Sequence, residues 1–247
     1  MIVKYIKEAG HTMNQTIDKY KKENNINEKV CYCGRLDPMA RGLVYLLVGD
    51  NCKDMEKHLQ HKKEYQFEIL FGLSTDTDDP LGIINNHIVV NYEDVNKYKI
   101  IIHDFIENLI KKPFNQNFHD YSSKRVKGKP LWEYKKNNIK IDKPSHSVTI
   151  DNYHINEIKK YNSNDWINNI INTINKIDKK NDFRQENIIN QYNLTKLSND
   201  IYTLPITITV SSGFYVRQLV SDIKNHINIP ILTYDINRLN VLCEVQN

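Results

Sequence analysis

An α+β fold built on a mainly antiparallel sheet is what this sequence predicts, and three features predict it. Apolar residues alternate with period two in EYQFEILF, where Tyr65, Phe67, Ile69 and Phe71 share one face, and again where Ile206, Ile208 and Val210 alternate with Thr207 and Thr209. A short continuous apolar run, LVYLLVG at 43–49, follows Gly42 and predicts a buried strand. Helical patterns stand between these strands without the strict alternation of a doubly wound parallel sheet.

In chain order, Thr12 opens the first helix, because Gln15 occupies the capping-box position and Met13, Ile17 and Tyr20 follow at helical spacing. GRLDPMARGL, residues 34–43, is expected to be a loop feeding the buried strand, and residues 53–60 a short helix. The strand at 64–71 leads into a polar turn, GLSTDTDDPLG. Val95, Tyr98, Ile102, Phe105 and Leu109 mark an amphipathic helix, and residues 148–155 and 202–210 read as strands. Residues 161–200 are biased to Asn, Ile and Lys and hold no clean period for long. They are expected to form an inserted, partly helical or mobile excursion, since a structureless loop of that length is unusual in a compact domain. Residues 1–247 as a whole are expected to form one domain.

Composition narrows the class. Of 247 residues, 40% are hydrophobic, enough for a substantial core, and the net charge of +4 suits a nucleic-acid partner without demanding one. Cys31, Cys33, Cys52 and Cys243 form no C-x-x-C pair and have no companion His at zinc-finger spacing, which argues against a structural metal and against a disulfide framework. No apolar run reaches the roughly 18 residues of a membrane span. The N-terminus MIVKYIKEAGHTM lacks a signal-peptide apolar region, so an intracellular protein, cytoplasmic or nuclear, is expected.

Three stretches carry candidate chemistry. In GRLDPMARGL, a carboxylate at Asp37 held between Arg35 and Arg41 would stay ionised, which suits a nucleophile or an electrostatic stabiliser; a solvated Asp-Pro turn is the alternative. In VSSGFYVRQLVSDI, residues 210–223, Tyr215 and Arg217 stand where a strand gives way to a helix. Arg217 is there either a fixed fork for a carboxylate or phosphate or an ordinary surface arginine. In DYSSKRVKGKPLWEYKKNN, residues 120–138, Lys124, Arg125, Lys127, Lys129, Lys135 and Lys136 interleave with Tyr121, Trp132 and Tyr134. Charge for a phosphate backbone and rings for stacking make this an RNA-contacting arm, or else a basic surface segment. No Gly-rich phosphate cradle, H-E-x-x-H pair or G-x-S-x-G elbow is present.

These pieces, in this order, resemble the TruB family of RNA pseudouridine synthases, of the tRNA pseudouridine-55 synthase type, from about Lys7 to Leu239. GRLDPMARGL is similar to the family's G-x-L-D-P-x-A-x-G-x motif, which implies that Asp37 is catalytic. KEYQFEILFGLSTDTDDPLG resembles the K-x-Y…G-x-x-T-D-T-x-D-x-x-G element, so Tyr65 is implied to stack on the target base and Asp79 to pair with the active-site Arg. SSGFYVRQLVSDI resembles the G-x-Y-I/V-R-x-L segment, which implies Tyr215 in the base pocket and Arg217 against Asp37 and Asp79. YSSKRVKGKPLWEY is similar to an RNA-contacting segment, implicating Tyr121, Lys124, Lys127 and Lys129.

The resemblance implies a pseudouridine synthase fold, with a mainly antiparallel mixed sheet flanked by helices and loops, and an isomerase that needs no cofactor, no metal and no obligate protein partner. Its implied substrate is uridine 55 in the T-loop of tRNA, flipped out of the stack. Asp37 would act either by attack at C1′ or by removing the C2′ proton. The alternatives are the same chemistry on T-loop-like hairpins of mRNA or viral RNA, or a non-catalytic tRNA-folding chaperone. Two motifs depart from the family pattern. Tyr32 stands in CYCGRLDP where the family has a substrate-engaging His, and KEAGHT at 7–12 lacks the Pro of K-P-x-G-x-T/S. No PUA domain is expected to follow the catalytic domain.

Overall fold

The computed structural model describes residues 1–180 and 182–242. In chain order the first elements are β1 (Ile2–Lys7), α1 (Met13–Glu23), β2 (Val30–Cys33), β3 (Arg41–Val48), α2 (Met55–Leu59), β4 (Lys62–Phe71), β5 (Leu73–Thr75) and β6 (Ile84–His87). There follow α3 (Tyr92–Glu107), β7 (Phe114–Asn117), β8 (Arg125–Val126), β9 (Lys129–Pro130), α4 (Leu131–Lys136), β10 (Ser145–Val148), β11 (Ile150–Ile155) and β12 (Lys159–Asn162). The chain continues through α5 (Ser163–Asn175), α6 (Gln185–Leu194), β13 (Asp200–Val210), α7 (Val216–Ile227) and β14 (Ile231–Leu242).

The central sheet runs β1-β3-β14-β4-β13-β11, with β2 also on β3 and β12 also on β13. All its pairings are antiparallel except β14 with β3, which is parallel where Asn237 and Arg238 meet Arg41 and Gly42. The mainly antiparallel mixed sheet expected from the sequence is what forms. At the parallel contact Gly42 has φ 115°, and a Cβ there would collide with the Arg238 main chain, so the position requires glycine.

Local signals explain where elements start. Thr12 caps α1 and its side chain accepts the Gln15 N–H, while Gln15 returns a bond to the Thr12 N–H, a complete capping box. Burial along β4 alternates through its first half, and then every residue from Phe67 to Phe71 is buried. Tyr65, Phe67, Ile69 and Phe71 enter a core shared with Ile102 and Ile106 of α3 and Leu219, Val220 and Ile223 of α7. Leu70, on the other face, meets Trp166, Ile170, Ile174, Ile188 and Tyr192. The strand is buried on both faces because α5 and α6 cover the second one.

The described residues of 161–200 are partly helical, as expected, but their helices pack against the sheet and do not stand off as a mobile excursion. Trp166, Ile170, Ile174 and Ile177 form one buried seam, whose period was hidden because Ile167 and Ile171 beside it are apolar too. GLSTDTDDPLG, expected to be a polar turn, holds strand β5 and is buried, with Thr75 at 1%, Asp78 at 6% and Asp79 at 5% exposure. The strand expected at 148–155 breaks at Thr149, where the chain leaves β7 as a partner and joins β13. The helix expected at 53–60 starts at Met55 after a tight turn over Gly49–Asp54, and α3 ends before Leu109.

Cys31, Cys33 and Cys52 are free thiols, and Cys243 lies outside the described residues. Among the described residues no helix is long and apolar enough to cross a membrane, and no cluster of three acidic, His or Cys side chains is placed to hold a metal.

If α5 is core, Trp166→Ala leaves a large cavity beneath it and lowers the unfolding free energy by about 3–5 kcal/mol in urea titration. A loss under about 0.5 kcal/mol would instead match a surface segment.

Candidate active site

The loop 34–40 joins β2 to β3 and hangs over two buried cations. Lys7, at 0% exposure, donates from Nζ to the carbonyls of Ala40 at 2.5 Å, Pro38 at 3.2 Å and Glu8 at 3.0 Å. Arg238, at 1%, donates from Nε to Leu43 O at 2.6 Å and from Nη2 to Gly34 O at 3.0 Å. Main-chain carbonyls at both ends of the loop are therefore hydrogen-bonded from below, which fixes its path. Burial pushes the Lys7 amine down to about 7, with Asp37 opposing and Arg238 adding to the shift.

Asp37 leaves this loop toward Arg217, in the first turn of α7. Arg217 donates to Asp37 Oδ2 from Nε at 2.9 Å, and its Nη2 forms an ion pair with the same oxygen at 2.8 Å. Its Nη1 donates to Thr77 O at 3.1 Å and faces Asp79 Oδ2 at 3.5 Å, and its Nη2 also donates to Tyr121 O at 3.2 Å. The guanidinium is buried, and each of its three nitrogens donates a hydrogen bond. Asp37 remains about a third exposed, and among the described residues its Oδ1 carries no hydrogen bond.

This pairing corrects the expectation that Asp37 sits between Arg35 and Arg41. Arg41 opens β3 beside β14, and the parallel register there sends it to Asp235, which it binds with Nε at 2.8 Å and Nη2 at 2.9 Å. Arg35 donates to the Tyr32 hydroxyl at 2.8 Å and lies over that ring.

The buried turn after β5 carries three carboxylates, each matched to a different cation. Asp76 binds Arg184, which lies just before α6, and accepts the Tyr121 hydroxyl at 2.7 Å. Asp78 binds Lys224 of α7 and faces His119 Nε2 at 3.2 Å. Asp79 faces Arg217, and its Oδ1 accepts from Thr77 Oγ1 at 2.8 Å and Leu81 N at 2.9 Å. Burial raises the Asp79 carboxyl to about 6, Arg217 opposes the rise and the nearby Asp37 adds to it. At Asp76 and Asp78 burial works the same way, but donated hydrogen bonds outweigh it and hold both carboxyls low.

Tyr215, the residue capping α7, lies near Asp37 and Arg217, and Tyr65 of β4, buried in the core, lies near Tyr215. Tyr215 is clamped by Gln116, which accepts its N–H at 2.8 Å and donates to its carbonyl at 3.1 Å. Burial, then the negative Asp37, raises the Tyr215 hydroxyl. Phe118 and His146 stack at 4.3 Å beside Tyr215, and Lys124 Nζ lies 4.8 Å from the centre of the Phe118 ring. Lys127 and Gly128 turn the β8–β9 hairpin of the arm, and Lys129 pairs with Glu133 at 3.0 Å.

The structure brings Asp37, Asp79, Tyr121, Tyr215 and Arg217 to one place, with Tyr65 beside them. Lys127 and Lys129 stand out on the hairpin, and Tyr32 packs half-buried against the core with its hydroxyl bound by Arg35. Sequence reasoning missed Lys7, Thr77, Gln116, Phe118, His146, Arg184 and Arg238. Lys7 was legible in part, as a lysine inside KEAGHT, and Thr77 as the second threonine of GLSTDTDDPLG, but the others have no local pattern and reach the site only through tertiary packing.

A fold of this kind, with an aspartate held by a buried arginine, defines a class, and comparison with known proteins identifies it. The family model described as TruB family pseudouridylate synthase (N terminal domain) matches residues 21–170. The chain belongs to the TruB family of pseudouridylate synthases. It is 33% identical over 149 residues to tRNA pseudouridine synthase B of Caldanaerobacter subterraneus, covering 60% of this chain and 50% of that protein. To the Ureaplasma urealyticum protein of the same name it is 30% identical over 224 residues, covering 90% and 77%. The chain spans about half the length of most of the curated relatives it matches. A crystal structure of a Cbf5-Nop10-Gar1 complex shares the fold over 97% of this chain and 48% of that one, with TM-score 0.54 and 14% identity. An H/ACA RNP bound to a substrate RNA containing 2′-deoxyuridine matches at TM-score 0.52 and 13% identity, over 97% and 47%.

The raised Asp79 carboxyl makes a pH prediction. The folded state holds this proton between about 4 and about 6, where the unfolded state has lost it, so ionisation weakens the fold as pH rises through that window. The stability of the native protein relative to Asp79→Asn should fall across that range and then level off in urea titrations. A constant difference would mean that Asp79 titrates at an ordinary carboxyl value.

Proposed function

We propose that this chain isomerises uridine to pseudouridine in RNA, with the T-loop uridine 55 of tRNA as substrate. One observation carries the reading: a buried guanidinium, Arg217, holds a partly exposed aspartate, Asp37, in the GRLDP loop while a second, buried aspartate, Asp79, faces it from behind. Family membership and the relatives named tRNA pseudouridine synthase B support the same reaction and substrate class.

The reaction breaks the bond from ribose C1′ to N1 of uracil, turns the base and joins C5 to C1′; C5 loses its proton and N1 gains one. Its first requirement is an ionised carboxylate at the sugar. Arg217 occupies Asp37 Oδ2, which leaves Oδ1 for the substrate, whether for attack at C1′ or for removal of the C2′ proton. Asp79 keeps the guanidinium from turning away, so the pair is organised before RNA arrives.

The second requirement is a place for a base that has left the helical stack. Tyr65 and Tyr215 supply ring faces beside Asp37, and stacking worth about 1–3 kcal/mol per base offsets much of the cost of flipping. The basic arm, with Lys124 next to the aromatic cluster and Lys127 and Lys129 on its hairpin, follows the phosphate backbone.

Purified protein is incubated with unmodified tRNA and with an isolated T-arm hairpin, and pseudouridine is mapped by carbodiimide-dependent reverse-transcription stops. A stop at the T-loop uridine is expected, and Asp37→Asn should abolish it while RNA binding persists. Absence of a stop on either RNA, with binding intact, would overturn the reading. Changing Lys124, Lys127 and Lys129 together to Ala should weaken binding and lower the slope of log K against log salt by about 2–3. An unchanged slope would take the arm off the phosphates.

A further inference from the structure

Arg184 stands at the end of the connection between α5 and α6, far in sequence from every motif of the site. Its guanidinium grips both oxygens of Asp76, Nη1 to Oδ2 at 2.6 Å and Nη2 to Oδ1 at 3.2 Å. The same Oδ2 accepts the Tyr121 hydroxyl at 2.7 Å, and the guanidinium lies over the Tyr121 ring, 5.4 Å from its centre. Tyr121 gives its main-chain carbonyl to Arg217 Nη2 at 3.2 Å, and that nitrogen also binds Asp37 Oδ2 at 2.8 Å. An unbroken series of contacts therefore leads from Arg184 to the nucleophile's own partner.

The backbone points the same way. Arg184 caps α6 in the left-handed region, with φ 62° and ψ 28° and no side-chain capping bond. A side chain with a Cβ adopts that conformation only where its surroundings impose it. Here Asp182 accepts the Arg184 N–H at 3.0 Å while Asp76 holds the far end of the side chain.

The rest of the α5–α6 segment grips the loops on both sides of the site. The Tyr192 hydroxyl donates to Pro80 O at 3.2 Å, and Gln191 accepts the Ile84 N–H at 2.8 Å. At the other end, Gln15 donates to Lys176 O at 2.9 Å. Gly10, with φ 84°, lies so close under Thr173 that a Cβ would not fit, and its N–H donates to Pro38 O at 2.9 Å, next to Asp37.

We propose that Arg184 is a positioning residue for the isomerisation: through Asp76 and Tyr121 it fixes the Arg217 guanidinium, and thereby Asp37. This rests on Asp37 and Arg217 being the reacting pair. Contact with RNA is the competing role for an arginine near a basic arm. The Arg184 charge is already matched by Asp76, and its side chain is only 27% exposed, which favours positioning.

The test separates rate from binding. At saturating tRNA, Arg184→Ala should lower the single-turnover rate by about tenfold or more with the RNA dissociation constant changed by less than about twofold. Arg184→Lys, which keeps one charged donor, should recover part of the loss. Arg184→Ala combined with Tyr121→Phe should be no slower than the slower single variant, because both act along one series. Weakened binding at an unchanged rate, or losses that multiply, would overturn the proposal. A second readout needs no turnover: the Arg217 Nε–H resonance of 15N-labelled protein should shift or broaden in Arg184→Ala, and an unmoved resonance would refute the linkage. If Arg184→Ala does not fold, Arg184→Lys and Tyr121→Phe carry the same comparisons. Native protein that makes no pseudouridine would count against the proposed reaction, and the resonance would still decide the positioning role.

Discussion

Everything around the site is arranged to keep one buried positive charge satisfied. An arginine out of water is tolerated only when its donors and its charge are all answered, and Arg217 needs the loop of Asp37, the turn of Thr77 and Asp79, and the carbonyl of Tyr121 to answer it. Those partners come from stretches scattered along the chain, so the fold must bring them to one point. The two carboxylates then divide the work by their exposure. Asp79, fully enclosed, serves as counter-charge, while Asp37 keeps one oxygen and a third of its surface open.

The same economy recurs below and beside the pair. Carbonyls of the Asp37 loop rest on Lys7 and Arg238, and the three acids after β5 are shared among Arg184, Lys224 and Arg217. Lys7, Arg217 and Arg238 are thus spent inside the protein and are not offered to a partner. On the arm, Lys129 and Lys135 are themselves partnered by Glu133 and Asp120. Such exposed pairs are weak, so they add little to the stability of the arm.

The α5–α6 segment shows how a compositionally biased stretch can still be structural. Its seam of Trp166, Ile170 and Ile174 covers the second face of β4, and its polar residues hold the loops on either side of Asp37. Asn and Ile fill every turn of these helices, so periodicity alone could not separate the buried face from the rest.

What the sequence determined by itself was local or carried whole in a motif: the Thr12 capping box, the alternation along β4 and β13, the buried run of β3, and the stretches whose Asp37, Asp79, Tyr215 and Arg217 the fold then brings near one another. Those signals act over a few residues, where backbone geometry and side-chain spacing are set by neighbours. The tertiary structure decided which charge meets which. Arg35 and Arg41 adjoin Asp37 in sequence yet bind elsewhere, while Arg217, 180 positions away, reaches it. Sheet register settles that choice: the parallel contact of β3 with β14 carries Arg41 to Asp235, and the packing of α7 against β14 turns Arg217 inward. The burial of GLSTDTDDPLG and the reach of Arg184 into Asp76 have the same origin. A carboxylate can go inside only where a cation from another element arrives with it, and no spacing along the chain records that meeting.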